Sequence, residues 1–149
     1  MKEHFMKIAE INISKKKGTV KTPVETGELI VDFGFCGDAH AASGSAKQVS
    51  ILSVSSINKM REELGDKITG GVFGENLDLE GIENSELPVG KKIVFSSGAE
   101  LEVTEIGKKC HSGCEIFKIT GKCIMPLKGV FCRVVKGGKV KKGDVFNVL

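Results

Sequence analysis

Lys91–Ile106 reads KKIVFSSGAELEVTEI. Two apolar, β-branched runs, Lys91–Phe95 and Ala99–Ile106, flank Ser96-Ser97-Gly98, which has the composition of a turn between paired strands. In the second run Leu101, Val103 and Glu105 fall on one face, and Glu100, Glu102 and Thr104 on the other, the alternation of a half-buried strand. The segment reads as a β-hairpin, and its neighbours follow the same pattern. Met6–Ser14 alternates, with Ala9, Ile11 and Ile13 on one face. Glu28–Phe35 (ELIVDFGF) and Lys47–Val54 (KQVSILSV) read as further strands. Val130–Val135, Gly137-Gly138 and Lys139-Val140 read as a second hairpin, because a Gly pair supplies the positive φ angles of a tight turn. Asp144–Leu149 reads as a terminal strand. One helix is expected from Ser55 or Ser56, either of which can cap it, to Leu64, with Ile57, Met60 and Leu64 on one face and Gly65 ending it. A second short helix is expected after Cys114. Many short strands and few helices predict a mainly β fold, a closed or barrel-like twisted mixed sheet with one or two short helices.

The chain has 149 residues, 40% hydrophobic and 28% charged, which suits one domain over residues 1–149 and excludes wholesale disorder. No apolar run approaches the ~20 residues of a spanning helix, and the N-terminal Met1–Lys7 lacks the apolar core of a signal peptide. A cytoplasmic protein without membrane contact is the expectation. Trp and Tyr are absent and the net charge is +3. Neither the aromatic platform of single-strand binders nor the charge of duplex binders is present, so no nucleic-acid partner is expected. Charge is uneven, however: residues 105–142 carry ten basic and two acidic side chains. Such a stretch is either a solvated face or a docking surface for an anion.

Four of the five cysteines (Cys110, Cys114, Cys123, Cys132) lie in that basic segment, and the fifth is Cys36. An odd number of cysteines without an export signal argues against a disulfide framework. Cys132 alternates with Val130 and Val134 and reads as a small buried hydrophobe; Cys36 beside Phe35 allows the same reading. Cys110, His111, Cys114 and Cys123 leave several chemistries open. They have the ligand types of a structural zinc site, although a second closely spaced pair is missing and adjacent Cys110 and His111 diverge in extended chain. Alternatively, Lys108, Lys109 and His111 favour a thiolate that carries sulfur or ligates a soft metal. Elsewhere, Gly70-Gly71-Val72-Phe73-Gly74-Glu75-Asn76 allows close backbone approach to a ligand or simply forms a turn. It lacks the Lys-Ser/Thr of a phosphate-binding P-loop. Lys15-Lys16-Lys17 reads as an exposed turn.

The run Gly107-Lys108-Lys109-Cys110-His111-Ser112-Gly113-Cys114-Glu115-Ile116, followed by Gly121-Lys122-Cys123-Ile124-Met125-Pro126, Gly129-Val130-Phe131 and Arg133-Val134, resembles the MOSC domain, the C-terminal domain of molybdenum-cofactor sulfurase. Gly37-Asp38-Ala39-His40 with Lys47-Gln48-Val49-Ser50 is similar to an earlier block of that family. Gly71-Val72-Phe73-Gly74-Glu75-Asn76-Leu77 is similar to its Gly-x-x-Gly-Glu-Asn-Leu block, and Gly143-Asp144 to its closing turn. The resemblance implies a mostly β, stand-alone domain that binds the molybdenum cofactor or carries sulfur for it on a cysteine. The cofactor itself, or its biosynthetic and acceptor enzymes, would be the partners. It also implies an alternative, a reductase of N-hydroxylated compounds fed by separate electron-donor proteins; a non-catalytic binding module or a structural zinc protein stands as a further one. The best match to the family cysteine, and to a molybdenum ligand, is Cys114, with Cys123 and Cys110 next. Relatives often carry one cysteine where this chain has three. For a cofactor with a phosphate and a pterin edge, Arg133 offers a bidentate grip, or is an exposed strand partner. Lys47, Lys122, His40, His111 and Asn76 are further candidate contacts. No lysine context suggests pyridoxal phosphate.

Overall fold

The computed structural model describes residues 6–17, 19–107 and 129–149. Its strands are β1 (Lys7–Ile13), β2 (Thr22–Val24), β3 (Thr26–Ile30), β4 (Gly34–Phe35), β5 (Val49–Ser53), β6 (Leu77–Glu80), β7 (Lys92–Phe95), β8 (Glu100–Ile106), β9 (Val130–Lys136), β10 (Gly138–Lys141) and β11 (Phe146–Val148). Among the described residues one helix, α1 (Val54–Leu64), follows β5, and one 3-10 turn spans Asn84–Glu86. Eight strands form one sheet in the order β11-β7-β8-β9-β5-β6-β1-β2, and β10-β3-β4 form a second. Pairing is antiparallel except for β5 with β6, the two strands that α1 connects. The sheet is therefore mixed, as expected.

The hairpin of β7 and β8 forms as read, with Ile93 opposite Leu101. Its buried Leu101 and Val103 join Ile8, Ile11, Phe35, Ile51, Leu77 and Phe95 in the main core. A smaller cluster of Leu52, Ile57, Met60, Ile68, Val72, Phe73 and Phe131 lies under α1. Each such side chain taken out of water contributes about 1.5–3 kcal/mol, so both faces of the β5–β9 region are committed to packing. Cys132 is fully buried among the main core residues, which is the hydrophobe reading.

Several expectations need correction. β9 and β10 are not a hairpin: β9 pairs with β8 and β5, whereas β10 pairs with β3. The chain changes sheet at Gly137, where a Cβ would stand 2.8 Å from Leu29 O. Glu28–Phe35 is two strands, because Asp32 adopts φ 51 and Phe33 N donates to Ile30 O. A register shift between Ile8 and Glu10 moves Ala9 off the core face and buries Ile8 with Ile11. A second shift, between Val103 and Glu105, likewise turns Glu105 away from Leu101 and Val103. Ser53, rather than Ser55 or Ser56, caps α1, accepting from Ser56 N, and Gly65 ends it as expected. No ladder closes the large sheet into a barrel among the described residues. β1 meets the last strand through the single bridge Lys7–Val145, with Ile8 N donating to Asp144 O and Phe146 N to Met6 O. The helix expected after Cys114 lies outside the described residues.

Replacing Ser53 by Ala is expected to lower stability by about 1 kcal/mol in urea denaturation through the lost cap.

Candidate functional site

The ends of β1, β5 and β6 gather most of the buried polar side chains. β1 ends at Ile13, and the following Ser14 N donates to Asp38 Oδ1 over 3.0 Å. Gly37, at φ 85, lets the chain turn after β4, so that Asp38 N donates to Phe35 O and Ala39 N reaches Ser14 O. This turn drives the Asp38 carboxylate inward, where Lys21 Nζ meets its Oδ1 at 2.7 Å; both side chains are fully buried. Two charges withdrawn from water need more than each other, because desolvation opposes their mutual attraction. Here the extra partners are present: Lys21 Nζ also donates to Ser14 Oγ at 3.2 Å and touches His40 Nδ1 at 3.1 Å, and Asp38 Oδ2 accepts from His40 N at 3.1 Å. Half-buried His40 is thus held by its ring and its backbone against one buried ion pair.

The Gly70–Asn76 turn packs directly behind this pair. Lys21 N donates to Gly71 O, and Gly71 has φ 84 with Lys21 O so near that a Cβ would collide with it. Glu75, fully buried, closes the turn by accepting from Gly71 N at 3.0 Å and Phe73 N at 3.2 Å. Asn76 joins three strands. Its Oδ1 accepts from Ser50 N at 3.0 Å and its Nδ2 donates to Asn12 O at 3.1 Å. Its carboxamide is therefore engaged inside the chain, which favours the turn-stabilising reading over a ligand contact. Asp78 stands beside Glu75. Burial, and then the Glu75 carboxylate, push the Asp78 carboxyl far above the ordinary carboxylate range, so it stays protonated at neutral pH. Asp78 Oδ1 and both polar atoms of the Asn12 carboxamide lack a hydrogen-bond partner among the described residues.

The remaining described candidates lie on the outer face of β8 and β9. Arg133 stands opposite Glu102, and its Nε donates to Glu102 Oε1 at 3.0 Å. Lys47 pairs with Glu105 at 2.6 Å and lies 5.9 Å from the centre of the Phe131 ring. Both cations are about half exposed, and Arg133 occupies the strand-partner position. Cys110, His111, Cys114, Lys122 and Cys123 lie outside the described residues. Gly107 and Gly129, which bracket that segment, are joined by a 2.7 Å backbone hydrogen bond. Cys36 is exposed rather than buried, because it follows the two-residue β4 onto the turn at Gly37. Burial pushes the Cys132 thiol up and leaves it inert as a nucleophile at neutral pH.

Lys21, Asp38 and Asp78 were not legible as a group. Lys21 sits in Lys21-Thr22-Pro23-Val24, which has the look of an exposed edge. Asp38 was visible only as part of Gly-Asp-Ala-His. The one available signal was a charged residue beside a short apolar run, and that pattern is common on surfaces.

Residues 38–147 match the sequence pattern of the MOSC domain. Among solved structures the fold is similar to the YuaD protein of Bacillus subtilis, at 21% identity over 96% of this chain and 94% of that one, with a TM-score of 0.77. It is also similar to YiiM of Geobacillus stearothermophilus, at 22% identity over 97% and 75% of the two chains and a TM-score of 0.76. For YiiM of Escherichia coli the values are 18%, 96%, 69% and 0.69. At such identities the likeness shows the fold. No curated protein sequence matches the chain.

Two outcomes follow from the buried acids and the turn. Asp78 binds a proton in the folded chain that the unfolded chain releases above the ordinary value of 3.8. Folding stability attributable to this group is therefore present below that pH and is lost as pH rises. Asp78→Asn, which cannot ionise, is expected to flatten the decline of wild-type stability between pH 5 and 9 in denaturant titrations; an unchanged slope refutes the assignment. Gly71→Ala is expected to cost roughly 1–3 kcal/mol through positive φ and further through the clash with Lys21 O. Gly44→Ala, at φ 77 in open space, should lose only the backbone part.

Proposed function

Because the chain belongs to the MOSC domain family, we propose that it works with the molybdenum cofactor, binding it or carrying sulfur for it on a cysteine thiolate. Cys114 is the first candidate for that thiol, then Cys123 and Cys110. One observation carries the reading: the matched span 38–147 takes in His40, Lys47, Arg133 and the whole cysteine-bearing basic segment. The partners on this reading are the cofactor and the enzymes that make or accept it.

The described side chains suit a phosphate-bearing pterin. Arg133 and Lys47 are tied to half-exposed carboxylates, and such pairs contribute about 0–1 kcal/mol. A phosphate can therefore displace Glu102 or Glu105, and the Arg133 guanidinium can then grip two of its oxygens. His40, whose Nδ1 lies 3.1 Å from buried Lys21 Nζ, is a further candidate contact. When bound, the cofactor supplies a metal centre with an open position suited to a thiolate ligand. In sulfur carriage, the Cys114 thiolate attacks the outer sulfur of a donor persulfide. An S–S bond forms at Cys114, the donor's S–S bond breaks, and the donor leaves as a thiolate, with no net oxidation.

Protein purified from cells that make the cofactor is the material for the test. Intact-mass spectrometry after incubation with a persulfide donor is expected to show one added sulfur on the wild-type chain and none on Cys114→Ser. Metal analysis is expected to find molybdenum in wild-type protein and less in the variant. A Cys114→Ser protein that takes up sulfur and molybdenum as wild type does overturns the Cys114 assignment. One zinc per chain, with unfolding on chelation, overturns the cofactor reading in favour of a structural metal. Turnover of an N-hydroxylated base by cofactor-loaded protein with an added electron donor replaces sulfur carriage by the reductase reading.

A further inference from the structure

The basic stretch ends in Lys139-Val140-Lys141-Lys142, and the fold treats these lysines differently. Lys142 is committed to Glu10. Lys139 and Lys141, both exposed, have no carboxylate within ion-pair reach among the described residues. Among those residues β10 is also an edge strand, since its sheet runs β10-β3-β4, and the register shows which of its backbone groups face outward. Lys142 N donates to Glu25 O at 2.9 Å, one step beyond the Lys141–Thr26 pair. Bonded and non-bonded pairs alternate along an antiparallel ladder. Gly138 and Val140 therefore bond to β3, whereas Lys139 and Lys141 turn their amides and carbonyls away from it. The surrounding bonds agree. Lys141 N donates to Asp144 Oδ2 and Lys141 O accepts from Asp144 N, while Glu28 O, opposite Lys139, accepts from Cys36 N on the far side of β3. Lys141 thus uses its outward groups in its own turn. The outward amide and carbonyl of Lys139 have no partner among the described residues.

That edge borders a cavity of about 380 Å3, lined by residues 139–141 and Asp144 together with the hydroxyl residues Thr26, Ser96 and Ser97. Of the three hydroxyls only Ser97 Oγ has a hydrogen bond among the described residues, as acceptor from Ala99 N at 3.5 Å. Two ammoniums, three hydroxyls and one main-chain amide thus surround a single carboxylate, which already accepts from Lys141 N. Such an excess of donors favours an anion. Charged side chains on an edge strand also discourage pairing with another strand, but that role requires neither the cavity nor its hydroxyls. Lysine is a point charge with freely turning donors, so it does not select planar from tetrahedral oxyanions. The volume is that of a small-molecule site, and the lysine methylenes and Val140 give it an apolar wall.

We propose that the free edge of β10 binds a small organic oxyanion, a carboxylate or a phosphate ester, through Lys139, Lys141 and the Lys139 amide. The site shares no residue with the function proposed above and does not depend on it.

Phenyl phosphate and benzoate, titrated separately into the full chain at constant ionic strength, are the probes, and 1H–15N spectra are the readout. At least one is expected to shift the amides of Ser97, Lys139 and Lys141 saturably. Its binding is also expected to slow hydrogen exchange at Lys139 N, which no protein bond protects in the free chain. A response to phenyl phosphate alone identifies a phosphate ester, and to benzoate alone a carboxylate; either supports the site. Lys139→Gln/Lys141→Gln is expected to weaken binding roughly tenfold, the loss of two exposed ion contacts. Lys139→Arg/Lys141→Arg, which keeps both charges, is expected to retain it. Lys15→Gln/Lys16→Gln, on an exposed loop, should leave it unchanged. No saturable shift from either probe, or benzyl alcohol binding as tightly as the anions, overturns the proposal. So does an affinity that survives in the Lys139→Gln/Lys141→Gln protein or falls equally in the Lys15→Gln/Lys16→Gln protein, or Lys139 exchange that bound probe does not slow.

Discussion

The buried contact between Lys21 and Asp38 constrains the polar half of this molecule. Neither side chain is accessible to water, so the cost of desolvating both must be met by geometry. That requirement fixes several segments at once. Ser14 leaves β1 in the direction that brings its amide and hydroxyl to the pair, Asp38 leaves β4 through a glycine, and Gly71 brings its backbone against Lys21. Removing either charge alone would leave the other buried without compensation, a loss of about 3–5 kcal/mol. His40, half-buried at the edge of the cluster, inherits that rigidity.

The elements that could be read along the chain are those whose partners are near in sequence. The β7–β8 hairpin needs only the turn between its strands, and the pattern of Lys91–Ile106 specifies both. The helix is likewise local, and only its cap was misplaced, by two or three residues, because Ser53, Ser55 and Ser56 are chemically alike. Ser53 takes the role since β5 delivers it in extended geometry, at ψ 147, where a cap belongs. The pairing of β10 with β3 was not legible. Gly137-Gly138 suits a hairpin turn, and nothing in those residues reveals that Glu28 and Leu29 lie beside Lys139 and Gly138. Asp32 hid the break in Glu28–Phe35 in the same way: its positive φ is stabilised from afar, by Gln48 Nε2 and Gly44 N donating to its carboxylate.

Legibility of the candidate site divides along a similar line. Gly-Asp-Ala-His and Gly-Val-Phe-Gly-Glu-Asn stood out as motifs, and the structure brings them to one place through Lys21. The chemistry of their members was another matter. Asn76, a candidate contact, has its carboxamide tied to Ser50 and Asn12; Asp78, which no motif singled out, holds a proton. In both cases burial decides, and burial is a property of the assembled fold. Lys21 was the least visible because its function consists of contacts 7, 17 and 19 residues away.

Among the described residues, charge segregation along the chain does not translate directly into a basic face. Arg133 and Lys142 of the basic stretch are answered by Glu102 and Glu10 from outside it, and Lys47 by Glu105. For Arg133 strand pairing causes this cancellation, since β8 and β9 place it opposite Glu102. An anion approaching Arg133 or Lys47 must therefore compete with a carboxylate already in place, and that competition between exposed charges is screened by salt.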